Sequence, residues 1–377
     1  MRTIICTGIT GSDQIGCLNA VKVHAQEHGH DLQIIDAWEV AKTVSQEPID
    51  EATILNRPEP YRERLFDHTY QKIAQQLDQI RRSEKASAEQ FVAISTHTTF
   101  LWRSTYVESF PEHVLAILNP DLFVTVIHNI KDIKDNLDRD PHHRFEDITL
   151  TDIVHWRDRE VSNTSRWARN FRKKPFRIAR DEPPETLYGV VFRPKAKRIY
   201  TSYPMSHVSK RQKEAASELV SELRRRGYVV FDPGSIDDAG YVDQLVTQMA
   251  RDKQAGFVYT EEELRNLAND VGDQTVKLDY LLIDQSDLVV VYYPSVTYEK
   301  SIKDRGKVVA KMYIPLSAGV ICEMVHGHQG GQKVYAVWLP KDPPSPFFRY
   351  HCQRVFRSKT QLLHYLKRYY SPQRDNR

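Results

Sequence analysis

At 377 residues the chain is long enough for two domains of ~100–200 residues each. Its 40% apolar and 27% charged composition is that of a folded globular protein and excludes disordered and collagen-like classes. The formal charge of +3, from 53 basic against 50 acidic residues, argues against a dedicated DNA-wrapping protein, and no run approaches the ~18 apolar residues needed to span a membrane.

The opening Met1–Gly8 is a short apolar run that reaches glycine at once, too short for a secretory signal. Thr3–Thr7 reads as a strand, Cys17–Glu27 as a helix and Leu32–Ile35 as a second strand. Tyr61–Arg82 places Leu65, Ile73, Leu77 and Ile80 on one helical stripe. Phe91–Ser95 and Leu122–Ile127 are further strands, and Asp152–Ala168 is a helix. This β-α-β rhythm predicts a parallel sheet flanked by helices. Residues 171–196 break the rhythm with Arg172-Lys173-Lys174-Pro175, Pro183-Pro184 and Arg193-Pro194-Lys195. They read as a basic linker, with an anion-facing patch as the alternative. A second α/β unit begins at Lys197. It has a strand at Arg198–Ser202, a helix from Ser209 to Arg226 stopped by Gly227, and strands at Tyr228–Asp232, Leu288–Tyr293 and Val334–Leu339. Val320–Gly327 opens a helix, and the tail 356–370 places Leu362, Leu363 and Leu366 on one helical side. The expected organisation is therefore two three-layer α/β domains with mainly parallel sheets, 1–170 and 197–377, joined by 171–196.

Cys6, Cys17, Cys322 and Cys352 lie far apart with no C-x-x-C pair. A zinc site or disulfide framework is not expected, and the predicted location is the reducing cytoplasm. No metal or cofactor is expected.

In the first half, Gly11-Ser-Asp-Gln-Ile-Gly16 follows a strand and precedes a helix with the spacing of a G-x-x-x-x-G phosphate loop. The next residues are Cys17 and Leu18, where such a loop needs a lysine for the phosphates and a hydroxyl for magnesium. Backbone N–H groups at the helix start remain available to an anion, so Gly11 and Gly16 are candidate nucleotide-binding residues. The run Ala93-Ile-Ser-Thr-His-Thr-Thr99, the segments Phe110-Pro111 and Leu118–Val124, and Arg139-Asp140 with Arg144–Asp147 resemble adenylate-kinase-like nucleoside monophosphate kinases over about residues 1–170. The sequence departs from that pattern at Cys17, Leu18 and Ser95, the last standing at an acidic position. The resemblance therefore implies a catalytically inactive domain that binds a nucleotide or serves as a scaffold. An active kinase with substitute residues is the alternative.

The second half carries the sharper constellation. Asp279 begins Asp-Tyr-Leu-Leu-Ile-Asp-Gln-Ser-Asp287 before the strand Leu288–Tyr293. Ser317-Ala-Gly319-Val-Ile-Cys-Glu323-Met324 then enters a helix, and Gly330-Gly331-Gln-Lys333 leads to the next strand. Ser317 and Gly319 sit where exposed N–H groups and a hydroxyl suit a phosphate or sugar oxygen. Glu323 lies one turn further, at the carboxyl edge of a parallel sheet if Val320, Ile321 and Met324 face that sheet. A surface glutamate paired with a lysine is the other reading of Glu323, and a plain helix cap the other reading of Ser317.

With Tyr200-Thr-Ser202-Tyr-Pro-Met and Leu223–Pro233 in the same order, this half resembles the nucleoside 2-deoxyribosyltransferase superfamily over about residues 197–340. That superfamily includes the 2'-deoxynucleoside 5'-phosphate N-hydrolases. The resemblance implies Glu323 as nucleophile at the anomeric carbon, Asp279 as the group that assists departure of the base as a proton donor or holds the ring, and Tyr200 as the group that orients Glu323. Ser202, Ser317, Gly319 and Met324 are the implied substrate contacts. Ser317 stands where transferases acting on free nucleosides carry an acid, and a hydroxyl accepts a 5'-phosphate that a carboxylate repels. His207 and Arg211 are further candidate phosphate contacts, with helix-start solvation as their alternative. Residues 233–278 and 294–316 exceed the usual loops of that superfamily.

The expected function is an N-glycosidase that hydrolyses the base–sugar bond of a (deoxy)nucleoside 5'-monophosphate. The alternatives are a deoxyribosyltransferase that exchanges bases and a non-catalytic nucleotide sensor. The expected partners are a nucleotide or nucleoside substrate and further copies of the chain in a homo-oligomer. Neither a nucleic acid nor a membrane is expected.

Overall fold

The computed structural model describes residues 1–82, 90–143, 146–205, 208–251, 259–295, 298–304, 307–313 and 317–371. It divides into two compact units, Met1–Phe192 with Ser235–Thr275, and Arg193–Gly234 with Val276–Arg377.

Unit 1 runs β1 (Arg2–Thr7), α1 (Gln14–Glu27), β2 (Leu32–Asp36), α2 (Ala37–Val44), α3 (Glu51–Leu55), α4 (Glu59–Arg82), β3 (Phe91–Thr96), β4 (Thr99–Trp102), β5 (Thr105–Glu108), α5 (Val114–Leu118), β6 (Leu122–Ile127), α6 (Ile130–Arg139), α7 (Leu150–Asn170), β7 (Pro175–Ala179) and α8 (Pro184–Phe192). It also takes in α10 (Asp238–Arg251) and the first part of α11 (Glu261–Asp284). The five-stranded sheet has the order β2-β3-β1-β6-β7 and is parallel throughout. β1, β3 and β6 are buried almost end to end because helices cover both faces, which is why their sequences read as continuous apolar runs. The stripe predicted on α4 is core: Leu65, Ile73 and Leu77 are buried.

The stretch 171–196, expected as an open linker, carries edge strand β7, paired with β6, and helix α8, whose residues Thr186–Phe192 are all buried. Its prolines mislead because they stand at the ends of elements: Pro175 opens a strand and Pro184 starts a helix, where the missing N–H costs nothing. The described residues of 233–278 are mostly helical rather than a long loop. Within unit 1, α10 is tied to the sheet unit by the buried ion pair of Arg157 with Asp238 at 2.6 Å and by the Ile130 N–H donating to Asp238 Oδ1 at 2.8 Å.

Unit 2 runs β8 (Arg198–Ser202), α9 (Lys210–Arg225), β9 (Val229–Phe231), the last turns of α11, β10 (Leu288–Tyr293), β11 (Tyr298–Asp304), β12 (Lys307–Tyr313), α12 (Ala318–Gln329), β13 (Lys333–Trp338), α13 (Pro346–Tyr350), β14 (Arg354–Phe356) and α14 (Lys359–Tyr369). β11 and β12 form a separate antiparallel hairpin inside 294–316. The main sheet is parallel with the order β14-β13-β10-β8-β9. One face packs Ile199, Leu288, Val290, Tyr335 and Val337 against Leu219 and Leu223 of α9 and Leu362 and Leu366 of α14. Because side chains alternate along a strand, Tyr200 and Ser202 point to the opposite face. Helix α12 packs there on β10, β13 and β8. Each unit is thus a three-layer α/β arrangement.

Helix α12 approaches β10 closely through Gly327, where a Cβ would stand 2.7 Å from Val289 Cγ2. Gly327→Ala is expected to push the helix off the sheet and cost about 1–3 kcal/mol, read as a fall in unfolding free energy by urea titration.

Candidate functional site

In unit 2 the carboxyl edge of the sheet brings together three of the residues singled out in the sequence. Tyr200 lies within β8, fully buried. Asp279 projects from the last turns of α11 and Glu323 from the second turn of α12. Both acidic groups act on the Tyr200 hydroxyl, which burial and the two carboxyls drive far above the usual phenol range.

The two carboxyls also act on each other. Burial, then the nearby Glu323 carboxylate, pushes Asp279 up to about 8. Burial also raises Glu323, while the neighbouring Ser202 and Tyr200 hydroxyls hold it down. Two close carboxyls in a poorly solvated site do not both ionise readily, so the pair tends to share one proton at neutral pH. Asp279, raised by burial and then by its neighbour's charge, is the residue that keeps it. The pair therefore offers one ionised carboxylate and one carboxylic acid, the division of labour that glycosidic bond cleavage uses.

The polar atoms around this pair are unsatisfied. The Tyr200 hydroxyl, the Ser202 hydroxyl and Glu323 Oε2 are enclosed, and none has a partner of hydrogen-bond geometry among the described residues. These atoms face one another, with the Ser202 and Tyr200 hydroxyls turned toward Glu323, so small side-chain rotations or a sugar hydroxyl can complete them.

Helix α12 starts beside these groups. Ser317 is its N-cap, with Oγ accepting the Val320 N–H at a long 3.4 Å. The Ser317 N–H donates to the Tyr293 hydroxyl at 2.9 Å. A Cβ on Gly319 would lie 3.6 Å from Glu323 Oε1 and 3.9 Å from Ser317 Oγ, so this glycine keeps the space between the cap hydroxyl and the carboxylate open. The N–H groups of the first turn have no carbonyl partner within the helix and suit an anionic oxygen.

Other expectations fare differently. Met324, expected as a substrate contact, is fully buried, its sulfur 3.6 Å from the Cys352 thiol. It belongs to the sheet-facing side of α12 with Val320, one position round from Glu323. Arg211 is exposed on the first turn of α9, and His207 lies outside the described residues.

Three residues of the site were not picked out from the sequence. The Tyr280 ring stacks on His326 with centroids 4.1 Å apart and planes 3° from parallel. His326 Nε2 lies 2.8 Å from Asp284 Oδ1. The spacing held a signal, since Tyr280 and Asp284 are i, i+4 on α11, and Cys322 and His326 are i, i+4 on α12. This stack joins the two helices that carry the acidic pair.

In unit 1 the loop from β1 differs from the expected phosphate loop. Helix α1 starts at Gln14, so Gly16 lies inside its first turn, and Cys17 and Leu18 are buried on its sheet side. Counted from Gly8, the same spacing puts Asp13 at the final glycine position, Gln14 at the lysine position and Ile15 at the hydroxyl position. Asp13 adopts the left-handed conformation at φ 54°, which the motif normally gives to glycine. Its carboxylate accepts the Gly16 N–H at 3.1 Å and binds Arg180 through Nε and Nη2 at 2.8 and 2.7 Å. A resident carboxylate thus occupies the helix start where Gly11 and Gly16 were expected to help hold a phosphate.

Nitrogen and oxygen atoms of His128, Asp132 and Asp181 lie within 4.8 Å of one another. The His128–Asp132 and His128–Asp181 contacts, at 3.7 and 3.6 Å, account for this grouping without an ion.

No protein-family profile matches the chain, and no curated protein matches it. Among solved structures, the chain is similar to a 2-deoxyribosyltransferase from Bacillus psychrosaccharolyticus, at 15% identity over 44% of this chain and 89% of the other, with a TM-score of 0.24. It is also similar to a CMP N-glycosidase from Clostridium botulinum, at 17% identity over 46% of this chain and 99% of the other, with a TM-score of 0.26. A sugar kinase from Janibacter sp. HTCC2649 matches at 10% identity over 50% and 91%, with a TM-score of 0.27. Among the described residues, no helix is long and apolar enough to cross a membrane.

Proposed function

We propose that unit 2 is an N-glycosidase that hydrolyses the base–sugar bond of a (deoxy)nucleoside 5'-monophosphate. The observation that carries this reading is the Asp279 and Glu323 carboxyl pair brought together on the buried Tyr200 hydroxyl.

Glu323, ionised, attacks the anomeric carbon, forming a glycosyl ester as the C–N bond breaks. The electron pair of that bond leaves with the base, and Asp279 delivers its proton to a base nitrogen. A water then gives a proton to the Asp279 carboxylate and attacks the anomeric carbon, releasing the sugar phosphate and restoring both carboxyls. The Tyr200 and Ser202 hydroxyls hold the Glu323 carboxylate in place as charge moves off it. Ser317 Oγ and N–H groups at the start of α12 hold the 5'-phosphate, which favours nucleotides over nucleosides.

Substrate choice tests the Ser317 assignment. Ser317→Asp is expected to lower kcat/KM for monophosphates roughly ten- to a hundredfold, from the lost charge-assisted bond and added repulsion, and to change that for nucleosides little. The measurement is the monophosphate-to-nucleoside ratio of kcat/KM in both proteins. An unmoved ratio leaves Ser317 as a helix cap only. Adding an acceptor base to the same assay separates hydrolysis, which yields free sugar phosphate, from base exchange, which yields a new nucleotide.

A further inference from the structure

Unit 1 contains a cavity of about 660 Å³ at the carboxyl edge of its sheet, where the segments after β1, β2 and β3 converge. Its volume is that of a small-molecule site. Among the described residues no lysine lines it, and the one arginine that does, Arg180, is bound in two-pronged fashion by Asp13. Gln14, at the position of the phosphate-loop lysine, accepts from the Ser12 hydroxyl at 2.9 Å and lies 3.5 Å from His97 Nε2. His97 contacts the Gly8 carbonyl through Nδ1, and burial keeps the ring uncharged.

The cavity has a cation-seeking lining instead. Asp36, at the end of β2, pairs in register with Ser95 at the end of β3, and both line the cavity. The Trp38 N–H donates to Asp36 Oδ1 at 2.9 Å, capping α2, and no side-chain cation pairs with Asp36 among the described residues. Ser95 is only 2% exposed. Glu51, the other half-buried carboxylate of the wall, is already matched by His143 at 2.7 Å. The rings of Trp38, Phe66, Tyr70 and Phe100 complete the enclosure. A carboxylate with no side-chain cation on it, beside a hydroxyl and walled by aromatic faces, is the environment that binds an organic ammonium group.

We propose that this cavity binds an organic cation, a protonated amine on a compact aromatic or aliphatic body, with its nitrogen on Asp36 and Ser95, and that it does not take a nucleoside phosphate. This goes beyond the reading of unit 2 and does not depend on it.

The test is calorimetric titration of the full chain with tyramine, agmatine and ATP. Tyramine or agmatine is expected to bind, and Asp36→Asn to weaken that binding roughly ten- to a hundredfold. Asparagine retains the helix cap, so the variant is expected to fold. Glu323→Gln is expected to bind the amine as the wild type does, which keeps the result separate from the fate of the glycosidase reading. The proposal is overturned if neither amine binds, or if Asp36→Asn leaves amine binding unchanged. It is also overturned if the amine is lost in Glu323→Gln, or if ATP binds in a manner that Arg180→Ala abolishes and Asp36→Asn does not.

Discussion

Glu323→Gln is expected to abolish base release, lowering kcat by roughly three or more powers of ten while leaving the fold intact. The amide keeps the size of the side chain and still meets the Ser202 and Tyr200 hydroxyls, but it cannot form the glycosyl ester. Losing a covalent nucleophile leaves only the binding and electrostatic contributions of the site. The variant removes a buried carboxylate that burial already disfavours, so its unfolding midpoint in urea should equal or exceed that of the wild type. Near-normal release of base by this variant would remove the mechanism.

Asp279→Asn carries the second large effect, and its signature is in the pH profile. A group pushed up to about 8 is protonated at neutral pH and loses its proton as pH rises through that value. The wild-type rate should therefore fall on the alkaline side of about pH 8, when the departing base no longer finds a donor. In Asp279→Asn the rate should fall by about 10²–10⁴, and this alkaline limb should vanish. Stability moves with the same proton. The folded state holds it between the ordinary Asp range, near 4, and about 8, whereas the unfolded chain has released it. Folding free energy attributable to this group is then greatest below pH 4 and is lost as pH rises to 8. Urea titrations across that window should show a shallower decline in the asparagine variant. An unchanged alkaline limb would assign the proton to another group.

The sequence was most readable where local chemistry and long-range packing agree. The helix ending at Gly227 and the apolar run Leu288–Tyr293 are each defined by their own residues, and both stand where expected. Tyr200, Ser317 and Glu323 were legible because a strand position, a cap and a residue one turn into a helix have fixed relations to a sheet edge. The register of the first glycine loop was not. Gly8, Gly11 and Gly16 allow two alignments, and the deciding feature is a left-handed aspartate, which spacing does not reveal. Residues 233–278 read as loop because α10 and α11 are rich in charged and polar residues and bury only part of their surface. The Tyr280–His326 stack is a contact between two helices far apart in sequence, so neither segment alone announces it.

The central claim is that Glu323 becomes covalently attached to the sugar. Its most direct test is to quench the wild-type protein during turnover of a deoxynucleoside 5'-monophosphate and map the adduct by peptide mass spectrometry. The expected result is a deoxyribose 5-phosphate mass on the peptide containing Glu323, with the free base released in step. Base release with no adduct on that peptide, or an adduct on a different residue, would contradict the account.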